Sequence, residues 1–324
     1  MGLDLLAAGH SEQAIQHLRP LAAASPVPLW AQHAQCLTGA AFAMNGEVHS
    51  TEEAAAFLNR PANSAAQEAW KRVMPLCIQQ LEAAAPRVPA SQRAGVYYFL
   101  ALLGADENEH VRHLREAVKL APAFDEAAYQ LGVHLLALGQ LDEAAALFRA
   151  VSEKHPEWSE PRTNLGIVLN LSGRPQEAIR EFREALKVRP DSANAHGQLG
   201  LALYVTGDHR EALVECGRAV RAEPKDPFNH NCAAVVLIEN ERPADAVAYA
   251  RRATELAPKH ETFQVVLAAA LAANGQPQEA LAAMRRAVEI QPLLRSDPTR
   301  LEKANMLRGR ALQHARSLLQ KLLP

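Results

Sequence analysis

Thirteen histidines and four cysteines are the side chains of this 324-residue chain best suited to metal or nucleophilic chemistry. Their spacing is therefore the first test of function. His196 and His230 stand 34 residues apart, and His110 and His113 stand three apart, about one helical turn. Imidazoles placed in this way can ligate zinc. Cys36, Cys77, Cys216 and Cys232 are scattered, with no C-x-x-C pair. They read as small buried hydrophobes, not as a disulfide framework or a zinc knuckle. No G-x-G-x-x-G, P-loop, H-E-x-x-H or G-x-S-x-G motif occurs, and the isolated Ser, His and Asp residues form no arrangement that spacing supports. The expectation is a chain with no catalytic residue, no metal site and no cofactor.

The elements that hold these residues are helical by composition. Hydrophobic residues make up 48 % of the chain but aromatics only 5 %, and alanine and leucine crowd nearly every segment. That balance favours helix over sheet. A net charge of -2 and a pI near 6.7 leave no global basic footprint, which argues against a nucleic-acid partner. No apolar run reaches the roughly 18 residues of a membrane span, so no membrane insertion is expected. The opening MGLDLLAAGHSEQ lacks the basic start of a signal peptide. The expected location is cytoplasmic.

The 34-residue spacing of the two histidines recurs in Pro122, Pro156, Pro190, Pro224, Pro258 and Pro292. Only 20 residues are proline, so six consecutive hits at one spacing are not an accident of composition. Gly132, Gly166 and Gly200, followed by Ala234 and Ala268, share the period, as do Ala144, Ala178, Ala212, Ala246 and Ala280. A further series runs Leu131, Leu165, Leu199, Ala233 and Leu267. Small residues at two fixed positions let a pair of antiparallel helices cross closely. Between them lie turns such as LSGRPQEA and VTGDHREA. There glycine can end the first helix, while Pro175 and Pro277 suit the first turn of the second. Asp208 and Glu211 form a capping pair for one of these helices, and the recurrent proline ends each second helix.

This pattern resembles the tetratricopeptide repeat (TPR) family, whose copies are 34-residue helix pairs with small residues at the crossing, an aromatic on the second helix and a terminal proline. The resemblance implies an all-α, right-handed TPR superhelix, an α-solenoid of antiparallel helix pairs. Five repeats fall at 125–158, 159–192, 193–226, 227–260 and 261–294, with a degenerate copy at 91–124. The aromatic slot holds Phe148 and Phe182, then Cys216, Ala250 and Met284. Position 4 of a repeat, which holds His196 and His230, faces the packed interface between helices in this family, so a structural role is expected for both. The aromatics Tyr97, Tyr98, Phe99, Phe124 and Tyr129 are expected to pack the degenerate repeat.

At the ends the register changes. Residues 1–28 fit an incomplete repeat that would leave Leu5, Ile15 and Leu18 under-covered, implying a chain that continues upstream or a homo-oligomer through the N-terminal end. Residues 29–90, with Trp70 and Pro75, read as an irregular helical hairpin. Residues 295–324 carry a stripe of Leu301, Ala304, Leu307, Ala311, Leu318 and Leu322, expected to be a C-terminal capping helix on the last repeat. Seven Lys or Arg against Asp297 and Glu302 give this segment a local charge of +5, read as a solvated face.

What the resemblance implies about function is docking, not turnover. First helices of TPR arrays line a concave groove with positions 2, 5, 6, 9, 12 and 13. Here position 9 supplies Val133, Ile167, Leu201 and Val235, and positions 12 and 13 supply Leu136, Asn170, Leu171, Tyr204, Val205 and Ile238. Position 6 supplies Gln130, Asn164 and Gln198, a ladder of amides able to hold a peptide backbone. The O-linked N-acetylglucosamine transferase family uses asparagines at that position in its similar superhelix. The Lys and Asn set with which some TPR domains clamp a C-terminal carboxylate is missing. The partner is thus expected to be a protein or peptide segment in the groove, the chain serving as scaffold or adaptor. The alternative is an accessory, substrate-presenting region of an enzyme such as a transferase.

Overall fold

A computed structural model of the protein describes residues 13, 14, 16, 78–83, 85–88, 90–103, 107–297, 301 and 307–322. No strand occurs among them, and the chain forms two compact units, residues 1–151 and 152–324. In the first, α1 (Ala90–Leu103) packs on α2 (Glu107–Leu120), α2 packs on α3 (Asp125–Ala137), and α4 (Leu141–Lys154) follows. The second unit holds the pairs α5 (Ser159–Leu171) with α6 (Pro175–Val188), and α7 (Ala193–Thr206) with α8 (His209–Ala222). The pairs α9 (Pro227–Glu239) with α10 (Pro243–Leu256), and α11 (Glu261–Ala273) with α12 (Pro277–Ile290), complete the stack. Two further helices, α13 (Leu293–Ser296) and α14 (Gly309–Gln320), follow. Within this unit each second helix also packs on the next first helix, and successive first helices touch one another. The fold is an all-α solenoid of antiparallel helix pairs.

The period has a direct packing cause. A Cβ added to Gly132 would lie 2.7 Å from the Phe148 ring, and one added to Gly166 would lie 2.5 Å from the Phe182 ring. At Gly200 it would lie 2.6 Å from the Cys216 sulfur. Each crossing glycine is thus the space filled by the side chain 16 residues later. Where the glycine becomes Ala234 or Ala268, the equivalent filler is Ala250 or Met284, and all four are fully buried. Volume is exchanged across the crossing, which keeps the interior close-packed as the sequence drifts. Each buried phenylalanine contributes roughly 1.5–3 kcal/mol over its exposed state.

Helix ends follow local chemistry. Pro175, Pro227, Pro243 and Pro277 sit in the first turns of their helices, where the missing N–H costs nothing. Asp208 caps α8 by accepting the Glu211 N–H at 3.1 Å, as its sequence pairing predicts. The turn within each pair needs a left-handed residue. Gly139, Gly173, Gly207 and Gly275 supply it, and at the equivalent place Glu241 takes φ 58° despite its side chain. The second helices α2, α6, α8, α10 and α12 end at Leu120, Val188, Ala222, Leu256 and Ile290, each two residues before the recurrent proline.

His196 and His230 have the structural role their position implies. The Nε2 of each donates at 2.8 Å to the carbonyl of the terminal proline six residues earlier, Pro190 and Pro224. Gln264 does the same toward Pro258 at 3.3 Å. One side chain per repeat thus satisfies a carbonyl left open where the preceding helix stops. The aromatics of the degenerate repeat also pack as expected, with Tyr98 and Phe99 fully buried and the Tyr98 and Phe124 rings 4.9 Å apart.

One expectation needs correction. Cys216 and Cys232 are not separate buried thiols: they form a disulfide between α8 and α9, across a sequence separation of 16. The two cysteines come together because the aromatic slot of one repeat faces position 6 of the next, a juxtaposition their sequence spacing does not show. The C-terminal helix caps the last pair, as expected. It packs chiefly against α11, with further contact to α9 and α12, and buries Leu307, Ala311, Ala315, Leu318 and Leu319. Of the N-terminal segments, Ala14 is helical and fully buried. Leu5, Ile15, Leu18, Trp70 and most of the 29–90 hairpin lie outside the described residues, as do Cys36, Cys77 and the N-terminal end expected to oligomerise.

Candidate functional site

The first helices of the second unit form one continuous face, and the segment of it over α5, α7 and the start of α9 is open. It holds a cavity of about 390 Å³, within the roughly 300–1,000 Å³ range of ligand sites. Ile167 and Leu201 make an apolar floor, while Leu171 and Phe228, 47 % and 51 % exposed, stand as apolar walls at either side. Polar groups line the remainder. Asn170 comes from α5, Asn194 and Gln198 from α7, and Asp226 and Asn229 from the start of α9. Asp226 is the single charged residue among them, and it also caps α9 by accepting the Phe228 N–H at 2.9 Å.

Two details give the cavity depth and rigidity. Gly197 lines it without a side chain, and a Cβ there would stand 2.9 Å from the Asn229 Oδ1. Asn229 is itself held, donating from Nδ2 to the Ala219 carbonyl at 3.3 Å. Cys232 lines the same wall and is tied to α8 by its disulfide. The Asn229 and Cys232 side of the cavity is therefore held in place before any ligand arrives, which lowers the ordering cost of binding there.

Five of the groove residues named from sequence, Ile167, Asn170, Leu171, Gln198 and Leu201, meet in this cavity. Asn164 is half-buried on α5 and does not line it. Gln130 and Val133 belong to α3 of the first unit, where Gln130 donates to Glu126 at 3.0 Å and Val133 is half-buried. Tyr204 belongs to a different environment. It is 2 % exposed, its hydroxyl donates to the Arg308 carbonyl at 3.1 Å, and its oxygen accepts the Arg308 N–H at 2.8 Å. Burial pushes its phenol well above the usual tyrosine range.

Tyr204 marks where the open face ends. Beyond it the C-terminal segment covers the first helices: Glu239 accepts the Ala311 N–H at 3.0 Å, and Arg310 pairs with Glu241 at 2.6 Å. Val235 is fully buried there, whereas its counterparts Ile167 and Leu201 are half-buried in the open part. Sequence reasoning missed Asn194, Gly197, Asp226, Phe228, Asn229 and Cys232. Position numbers 2, 5 and 6 pointed at Asn194, Gly197, Phe228 and Cys232, but nothing local distinguishes the one stretch of the face that remains uncovered.

Comparison with known proteins agrees with this fold. Two profiles described as tetratricopeptide repeat match the chain, one at residues 171–227 and 233–297 and the other at 126–191, together more than half of its length. The chain belongs to the tetratricopeptide-repeat family. No curated protein matches the sequence. Among solved structures it is similar to the APC/C hetero-tetramer Cut9-Hcn1, at 13 % identity and a TM-score of 0.62, over 97 % of this chain and 59 % of that one. It is also similar to TTC0263, a thermophilic TPR protein of Thermus thermophilus, at 24 % identity and a TM-score of 0.46, over 51 % of this chain and 91 % of that one. YrrB, a TPR protein with an unusual peptide-binding site, shares 18 % identity at a TM-score of 0.44, over 63 % of this chain and 97 % of that one. At these identities the likeness is one of fold. No helix among the described residues is long and apolar enough to cross a membrane.

Proposed function

We propose that the chain is a non-enzymatic protein-interaction module that docks an extended peptide or protein segment in the open stretch of the first-helix face. The observation that carries this reading is the cavity itself, in which an apolar floor of Ile167 and Leu201 lies beside Asn170, Asn194 and Gln198. A carboxamide is donor and acceptor at once, so amides suit a peptide backbone while the floor takes one or two apolar side chains. With Asp226 the one charged lining residue, the preferred segment is close to neutral or weakly basic.

The test is selection of a displayed library of short random peptides on the intact chain, followed by titration of the best peptide. Leu201→Asp places a charge on the floor and is expected to weaken binding at least tenfold, about 1.4 kcal/mol. Gln198→Ala removes one amide and is expected to cost about 0.5–1.5 kcal/mol. Val214→Asp, on the exposed face of α8, is the control and leaves affinity unchanged. Equal affinity in all three variants, with unchanged circular dichroism, would place the peptide elsewhere and refute this site.

A further inference from the structure

His110 and His113, adjacent on one helical turn, are separated by the fold. His113 is buried and its Nε2 lies 3.0 Å from the Glu82 Oε1. His110 turns instead toward α3, where its ring meets that of His134 edge-on with centroids 4.7 Å apart. Glu107 stands on α2, three residues before His110 and on the same side. Its Oε1 lies 2.6 Å from the His134 Nδ1. One carboxylate oxygen and one nitrogen from each imidazole lie within 4.8 Å of one another, and all three residues are half-buried.

We propose that Glu107, His110 and His134 bind a divalent transition-metal ion of the zinc class, with two imidazoles and one carboxylate as protein ligands. The donor set decides the class. Two nitrogens and one oxygen suit zinc and its first-row neighbours, whereas magnesium and calcium demand oxygen shells. Ligand bonds of about 2.0–2.2 Å place tetrahedral donors roughly 3.3–3.6 Å apart. The present separations, from 2.6 Å between the Glu107 and His134 donors up to no more than 4.8 Å, bracket that spacing. Half-burial leaves an entry path and a fourth position for water, while keeping the ligands partly desolvated.

The ion would act as a clip. Glu107 opens α2 and His134 lies in the last turn of α3. A shared metal therefore joins the start of one helix to the end of the next, across the junction of two repeats in the first unit. The existing contact between Glu107 and His134 holds two of the donors together before the ion arrives, so little ordering is needed on binding.

Chelator-stripped full-length protein titrated with zinc chloride tests this. The expected result is one tight ion per chain, a melting temperature raised by zinc, and visible d–d absorption of tetrahedral type when cobalt replaces it. His110→Ala and His134→Gln are each expected to weaken binding by at least about tenfold, while His113→Gln does not. Thirteen histidines offer other weak sites, so the decisive variant is the His110→Ala/His134→Gln double. If it binds zinc with the same affinity and stoichiometry as the parent, or if the parent shows no tight ion, the proposal is overturned. Cobalt spectra report the ligand set independently of any variant's stability, and octahedral all-water spectra would overturn it as well.

Discussion

Gly166 and Phe182 illustrate how single residues set this fold. The glycine has no conformational duty. It is required because a Cβ would sit 2.5 Å from the Phe182 ring, far inside contact distance. Gly166→Ala is expected to destabilise the protein by about 1–3 kcal/mol through overpacking. Phe182→Leu alone leaves a cavity. The double variant should cost less than the sum, because the shorter side chain makes room for the methyl, and a double-mutant cycle by chemical denaturation measures that coupling. His113 carries a second residue-scale prediction. Burial depresses its pKa, outweighing the hydrogen bond to Glu82 that favours the charged ring. A histidine held neutral in the fold stabilises it fully above the unfolded value of about 6.5. That contribution is lost as pH falls from there toward the lower folded value. Acidification from pH 7.5 to 5.5 should therefore lower the amide-exchange protection of α2, and His113→Gln should flatten the dependence. An unchanged profile in the variant would assign the effect to another group.

Among the elements, α14 is distinguished by where it lies. It closes the solenoid on the last pair, lying chiefly on α11, and it also reaches α9. Its start is tethered by polar contacts: the Tyr204 hydroxyl bonds both the N–H and the carbonyl of Arg308, and Glu239 takes the Ala311 N–H. Tyr204→Phe is expected to cost about 0.5–1.5 kcal/mol, read as faster amide exchange in Arg308 to Leu312. The same residue predicts an alkaline signature. Because the folded phenol stays protonated well above the usual range, the unfolded chain alone loses its proton above about pH 10. Stability then falls with rising pH, and Tyr204→Phe removes that slope. Glu241 belongs to this scale as well, holding a left-handed turn that glycine holds in four other pairs. Glu241→Gly should relieve about 1–2 kcal/mol of backbone strain. Glycine's greater freedom when unfolded and the loss of a solvent-exposed pair with Arg310 oppose it. A net gain of up to about 1 kcal/mol is expected, measured as a higher denaturation midpoint.

For the whole molecule, a repeat architecture predicts locality. Within the second unit, apart from the C-terminal segment laid over α7, α9 and α11, each pair contacts its neighbours, so stability is nearly a sum of pair and interface terms. Gly166 and Glu241 lie two repeats apart with a complete pair between them. Gly166→Ala and Glu241→Gly should therefore add within about 0.5 kcal/mol. A larger deviation would show that the second unit unfolds through coupling beyond nearest neighbours. On the outer surface, Arg183 with Glu211 and Arg251 with Glu279 join successive second helices at 2.8 and 2.6 Å. Both pairs are exposed, so they fix register more than they stabilise.

The sequence alone determined the helix period, the small residues at each crossing, the turn glycines and the prolines that follow each second helix. It could do so because all of these depend on contacts within about 34 residues, which recur. The structural role of His196 and His230 was legible for the same reason, since their carbonyl partners lie six residues away. What tertiary structure decided are the contacts that do not recur from one repeat to the next, whatever their separation in the chain. No local pattern pairs Cys216 with Cys232, swaps His113 for His134 as the neighbour of His110, or sends residues 307–319 back over Val235 and Ile238. The last of these matters most for function. Groove positions repeat identically along the sequence, but which of them remain open depends on where the C-terminal helix finds its largest apolar contact, and that is settled only when the whole unit has folded.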